Sequence, residues 1–250
     1  MSEYPGRDRT SSSSETPSEQ EVLTMLGAVP PTALLLLAIV SIQLGAAIAT
    51  HLFPVLGAEG TVAIRIIISA VLLGIAARGR VRKFVPIFRD SWGLLLGYGL
   101  CIAAMNLFFY QSIFRIPLGA AVAIEFAGPL AVAVFSSRTP IHFAMVGLAA
   151  IGILLLSPFA GVDLDAIGIL FALAAGGGWA GFILLSRRVV KRVSGNDGLA
   201  IGMSIAAVAM LPLAIPVVPE LVTSPWLLLA GLGVALLSTT LPFTFEFEAL

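Results

Sequence analysis

The sequence predicts an all-α membrane protein, a polytopic helical bundle built as two inverted five-helix repeats. Three observations predict it. Of 250 residues, 58% are apolar and only 11% charged, with a mean hydropathy of +1.03; a soluble domain carries about 25% charged residues. Apolar stretches near the ~20 residues that a spanning helix needs recur along the whole chain. The third stretch repeats in the eighth, at a shift of 134 residues.

Residues 1–28 form a polar leader with the run Ser11 to Ser14 and interspersed Glu3, Glu15, Glu19 and Glu21. They offer too little apolar surface to fold, and acids mixed with Arg7 and Arg9 do not make a signal peptide. The leader reads as a disordered cytoplasmic tail. Eight spans follow, at about 31–50, 57–77, 92–114, 117–136, 141–158, 166–186, 198–218 and 226–247. The breaks between them carry turn residues or charge: His51 to Pro54, Arg78 to Arg89, Pro117, Arg138 to Pro140, Asp163 to Asp165, Arg187 to Asp197, and Pro219 to Pro225.

Basic residues flank the cytoplasmic ends of membrane helices. Arg78, Arg80, Arg82, Lys83 and Arg89 follow the second span, Arg138 the fourth, and Arg187, Arg188, Lys191 and Arg192 the sixth. The opposite loops carry Glu59, Asp163, Asp165 and Glu220, with Arg115 alone as a basic residue. The N-terminus is therefore expected in the cytoplasm.

The repeat aligns Trp92 with Trp226, Leu94 with Leu228, Leu95 with Leu229, Gly97 with Gly231, Gly99 with Gly233, Leu107 with Leu241 and Phe109 with Phe243. The same shift places the first span on the sixth, so the repeat is five spans long. An odd number inverts the second copy, a plan common in transporters. Residues 29–160 make the first repeat and 161–250 an incomplete second one, with three of five helices. Two further helices, about 45–50 residues, are expected beyond Leu250.

Ionisable residues within a span cost about 2.5–3.5 kcal/mol each on insertion scales and usually mark function. Arg65 lies eight residues inside the outer end of the second span, and Glu125 eight inside that of the fourth. Asn106 and Gln43 lie eight residues from the outer ends of the third and first. At 1.5 Å per residue all four sit roughly 12 Å deep. Tyr110 and Gln111 lie about one turn further out. Pro129 has no amide hydrogen to give the carbonyl of Glu125, which leaves that oxygen for a ligand or water. Two readings of the level stand side by side. A buried Arg65–Glu125 ion pair would only fix helix packing, with Asn106, Gln43 and Tyr110 as interhelical hydrogen bonds. Alternatively Glu125 takes a proton or a substrate ammonium and Arg65 a substrate carboxylate. Gly176 to Gly178 beside Trp179, and Gly93 with Gly97, are expected to allow close helix packing. Glu246 and Glu248 are interfacial or belong to the second half of the site.

Much chemistry is excluded. Cys101 has no disulfide partner, His51 and His142 are the only histidines, and no Cys/His group has metal spacing. The two lysines, Lys83 and Lys191, lie outside any phosphate-binding loop. Net charge is zero, which suggests no nucleic-acid partner. Gly202 to Ala206 loosely resembles a nucleophile elbow, but it lies in a span without a histidine partner. No cofactor, no metal and no enzyme activity are expected.

At this point the residues resemble a known family. Ala104-Met105-Asn106-Leu107-Phe108-Phe109-Tyr110, Pro117-Leu118-Gly119 and Ile124-Glu125-Phe126-Ala127-Gly128-Pro129-Leu130-Ala131-Val132 look like the threonine/homoserine exporter branch of the drug/metabolite transporter superfamily. Ser41-Ile42-Gln43, Ala63-Ile64-Arg65 and Ser238-Thr239-Thr240-Leu241-Pro242 are similar to it too. The resemblance runs from about residue 31 to 250. It implies a ten-helix inner-membrane exporter of two EamA-type repeats, moving threonine, homoserine or related amino acids against protons. It puts Glu125, Arg65, Asn106, Gln43 and Tyr110 at the substrate or proton site. The polar leader and Glu248 depart from the pattern. A related carrier for another metabolite or drug, and an inactive fragment or assembly partner, are the alternatives. Partners are then an amino acid, protons and the lipid bilayer; oligomeric state is open, a homodimer included.

Overall fold

The computed structural model describes residues 30–77, 81–136, 140–156, 164–193 and 195–242. The leader, Glu246 and Glu248 lie outside these residues.

Apolar helices occupy all eight expected places. They are α1 (Pro31–Thr50), α2 (Phe53–Ala77), α3 (Val81–Ile113), the pair α4 (Leu118–Glu125) and α5 (Ala127–Ser136), α6 (Pro140–Leu156), α7 (Ala166–Val189), α8 (Gly195–Ala214) with a short continuation α9 (Val218–Thr223), and α10 (Trp226–Ala235). Among the described residues five helices are long and apolar enough to cross a membrane: Phe53–Ala77, Phe88–Ile113, Leu118–Ser136, Ala166–Val189 and Asp197–Thr223. Shorter apolar stretches cover Leu36–Thr50, Phe143–Gly152 and Trp226–Thr239. The outside of the bundle is apolar, with Phe135 89% and Leu155 82% exposed. Water would not tolerate such a surface, whereas lipid requires it. The chain is a multi-pass membrane protein.

Local chemistry sets the ends. Pro117 precedes α4, where a missing amide hydrogen costs nothing. Asp165 caps α7, its carboxylate accepting from the Ile167 amide at 3.2 Å. Arg187 and Arg188 complement the negative end of the same helix.

Four boundaries differ from expectation. Residues 81–90, read as a basic loop, are helical and join α3 across a kink at Ser91 (φ −135°, ψ 24°). The fourth span is broken at Phe126 into α4 and α5; Pro129 withholds an amide hydrogen there. The seventh span runs to Thr223, with Pro212 inside α8 and a 3-10 turn at Ile215–Val217 absorbing Pro216. The eighth widens into a π-helical turn at Leu236–Thr240.

In the core, α3 lies along α7 and α2 along α8, with α3 also touching α8. Helices α4 and α5 lean on α7; α1 packs against α10 and the π-turn, and α10 also against α2. The buried surface where α2, α3 and α8 meet holds Val62, Ile66, Tyr98, Ile102, Met203 and Ala206.

Candidate functional site

The site grows from the one arginine buried in a span. Arg65 is 7% exposed on α2. Its Nη2 donates to Oδ1 of Asn106 on α3. The Asn106 amide cannot turn away, because its Nδ2 donates to the Ile102 carbonyl one turn back at 2.7 Å. One further turn along α3, the Tyr110 ring lies under the guanidinium, with Cζ 5.0 Å from its centroid. A desolvated cation over an aromatic face is stabilised by about 2 kcal/mol. Tyr110 is itself 2% exposed and packs against Phe53, ring centroids 5.8 Å apart.

This cradle leaves two groups unmet. Arg65 Nε and the Tyr110 hydroxyl are buried without a hydrogen-bond partner among the described residues. Leaving a buried donor unsatisfied costs about 1–3 kcal/mol, more for a charged group. Both groups can donate to one acceptor, and a carboxylate is the acceptor chemistry that answers a guanidinium.

Glu125 ends α4 at the helix break, half-buried and within reach of the Arg65 charge. No direct ion pair joins the two among the described residues, so the reading of the level as an Arg65–Glu125 salt bridge is corrected. Asn106 holds the arginine instead. The Glu125 carbonyl, which Pro129 cannot bond, is met by α7: a methyl group on Gly176 would fall 2.6 Å from it. One on Gly128 would fall 1.9 Å from the Gly176 carbonyl oxygen, and one on Gly178 would fall 2.9 Å from Met105 Cβ. Gly176 and Gly178 therefore permit the close approach expected of them. Gly93 and Gly97 do not, since nothing lies within 3.4 Å of a methyl at either.

Curated relatives decide the family. RhtA of Salmonella typhimurium (strain LT2), named a threonine/homoserine exporter, is 40% identical over 223 residues, covering 88% of this chain and 74% of that protein. The exporter of the same name from Escherichia coli K12 matches at the same identity and coverage. The chain belongs to the threonine/homoserine exporter branch of the drug/metabolite transporter superfamily. A crystal structure covered over 78% of its length, and over 87% of this chain, matches the exporter fold with a TM-score of 0.56 at 20% identity. No family model matches.

Within this exporter-family bundle, Arg65, Asn106 and Tyr110 are brought together as their depth predicts. Gln43 is half-buried on α1, which packs mainly on the π-turn and α10, and its side chain makes no hydrogen bond among the described residues. Sequence reasoning missed a second polar contact of α2. The Ser69 hydroxyl, one turn inward of Arg65, donates to Thr239 Oγ1 in the π-turn at 3.0 Å. Nearby, Ser41 donates to the Leu237 carbonyl at 2.6 Å. The i, i+4 spacing of Arg65 and Ser69 is the signal that would have found it. Ser204, at the centre of the elbow-like segment, donates back to the Ala200 carbonyl of its own helix at 2.7 Å.

Proposed function

We propose that the chain is a secondary transporter that exports small amino acids of the threonine and homoserine type across the inner membrane by proton antiport. The carrying observation is the buried Arg65–Tyr110 pair with two unmet hydrogen-bonding groups. A substrate carboxylate accepting from Arg65 Nε and the Tyr110 hydroxyl removes both penalties at once. The substrate ammonium, or a proton in its absence, goes to Glu125. Because one carboxylate serves both, the two bind in alternation, which is the logic of exchange. The names of the relatives, threonine/homoserine exporters, support the substrate class.

Orientation and repeat organisation belong to the same proposal. The N-terminus is placed in the cytoplasm by the basic loops. The two five-helix repeats are supported by the packing: exchanging α1 with α7, α2 with α8 and α3 with α10 turns each principal contact of these helices into another that exists.

The test is efflux of preloaded labelled threonine from cells expressing the chain, beside Glu125→Gln and Arg65→Lys at matched membrane expression. Both variants are expected to lose export. Lysine keeps the charge but not the fork that holds Asn106 and a carboxylate together. Undiminished export by Glu125→Gln would remove Glu125 from the coupling role.

A further inference from the structure

We propose that residues 51–57 are the lid of an outer gate, hinged at Gly57 and latched through Gln111, and that it is closed in this structure. The inference rests on the orientation and carrier function proposed above.

The hinge is explicit in the backbone. Gly57 has φ 66° and ψ 170°, the one positive-φ glycine among the described residues. That region is essentially reserved for glycine. A methyl there would meet nothing within 4 Å, so conformation and not space demands the residue. Directly after it the helix restarts, and Thr61 ties back to the Gly57 carbonyl at 2.6 Å.

The lid carries Phe53, whose ring touches Tyr110 (5.8 Å) and Phe114 (5.9 Å) and so covers the arginine cradle from the outer side. Leu52 and Leu56 on the same segment are buried with Val217 and Leu227, at the outer ends of the seventh and eighth spans. The lid thus bridges both repeats.

A polar latch lies beside it. Gln111 Nε2 donates to Glu59 Oε1 on α2 at 2.7 Å, and its own carbonyl oxygen Oε1 accepts from Arg115 Nη1 at 2.6 Å. Arg115 in turn stacks on Phe171 and lies 3.8 Å from Asp165 at the start of α7. The two links differ in kind. Helices α3 and α7 are joined elsewhere too, by Ser112 to the Gly168 carbonyl (2.9 Å) and by Arg192 to Ser91 Oγ (2.5 Å) at the opposite end. They move as one body. Glu59–Gln111 instead crosses the seam between that body and α2. On the inner half the same seam is parted by a groove of about 700 Å³, between Gly74, Leu96 and Ile205. The seam is closed outside and slack inside, as in a carrier facing inward.

The full chain with Cys101→Ala provides the background for the test. Ala103, buried on α3 two turns inward of Tyr110, becomes the reporter as Ala103→Cys. A membrane-impermeant maleimide is applied to right-side-out vesicles. Because a minor open state holds about 10% or less of the molecules, Phe53→Ala is expected to speed labelling about tenfold or more. An unchanged rate overturns the lid. Independently, Glu59→Cys with Gln111→Cys, bridged by a short thiosulfonate, is expected to stop threonine efflux until reduced. Arg115→Cys with Asp165→Cys, bridged in the same way, is expected to leave efflux running. Efflux that persists across the first bridge overturns the latch. Absence of efflux from the unbridged protein counts against the proposed substrate, while the labelling arm still decides the gate.

Discussion

Arg65 is held by Asn106 on one side and by the Tyr110 ring beneath, while its Nε and the tyrosine hydroxyl stay unmet. That asymmetry separates packing from function. In Tyr110→Phe, a hydroxyl without a partner is removed, so thermal stability in detergent should hold or rise slightly. If the hydroxyl meets a substrate carboxylate, the KM for threonine efflux should rise about tenfold, the value of one charge-assisted hydrogen bond. A parallel fall in both stability and transport would return Tyr110 to a packing role. Asn106→Leu should behave differently, because it strands a buried guanidinium. It is expected to cost about 1–3 kcal/mol in denaturation and to depress efflux as well. Depth counting from the span ends made Arg65, Asn106 and Tyr110 legible as one cluster. It could not do the same for Gln43, since depth carries no information about azimuth, and α1 faces a different neighbour. Ser69 escaped notice because a single serine inside a helix is chemically quiet until its partner, Thr239, is located across the bundle.

At the scale of elements, the contact between the broken fourth span and α7 is the most demanding. Gly128→Ala would force its methyl onto the Gly176 carbonyl oxygen, 1.9 Å away, and backbone cannot yield as a side chain does. Loss of folded protein, read by size-exclusion chromatography in detergent, is expected. Gly74→Ala on α2 meets nothing within 4 Å, so it should be tolerated and gain up to about 1 kcal/mol from reduced chain entropy. Helix placement was legible because runs of apolar residues and intervening prolines punctuate the chain strongly. Helix ends were less so. Pro86 and Pro212 lie inside helices and do not end them, whereas the break at Phe126 comes three residues before its proline. Proline states which hydrogen bond is missing; the surrounding packing decides whether the helix bends, breaks or continues.

For the molecule as a whole, topology is the quantity to test. In the Cys101→Ala background, Val222→Cys, 74% exposed on α9, should react with impermeant maleimide from outside intact cells. Lys191→Cys, in the basic turn after α7, should react only from the inner face. The reverse pattern would invert the proposed orientation and with it the sense of the gate. The repeat was visible through Trp92/Trp226 and the paired Gly-x-Gly, yet its two copies are not alike in shape. Where the first copy keeps α-helix through Asn106, the second widens at Leu236–Thr240. A π-turn amounts to one residue inserted into an α-helix. Deleting a single residue there would let the helix close up and would turn everything beyond it by about 100°. Ser41 and Ser69 would then grip different atoms. In this helix, length measured in single residues sets the facing of the chain that follows, and an in-frame loss of one codon would be felt as a rotation.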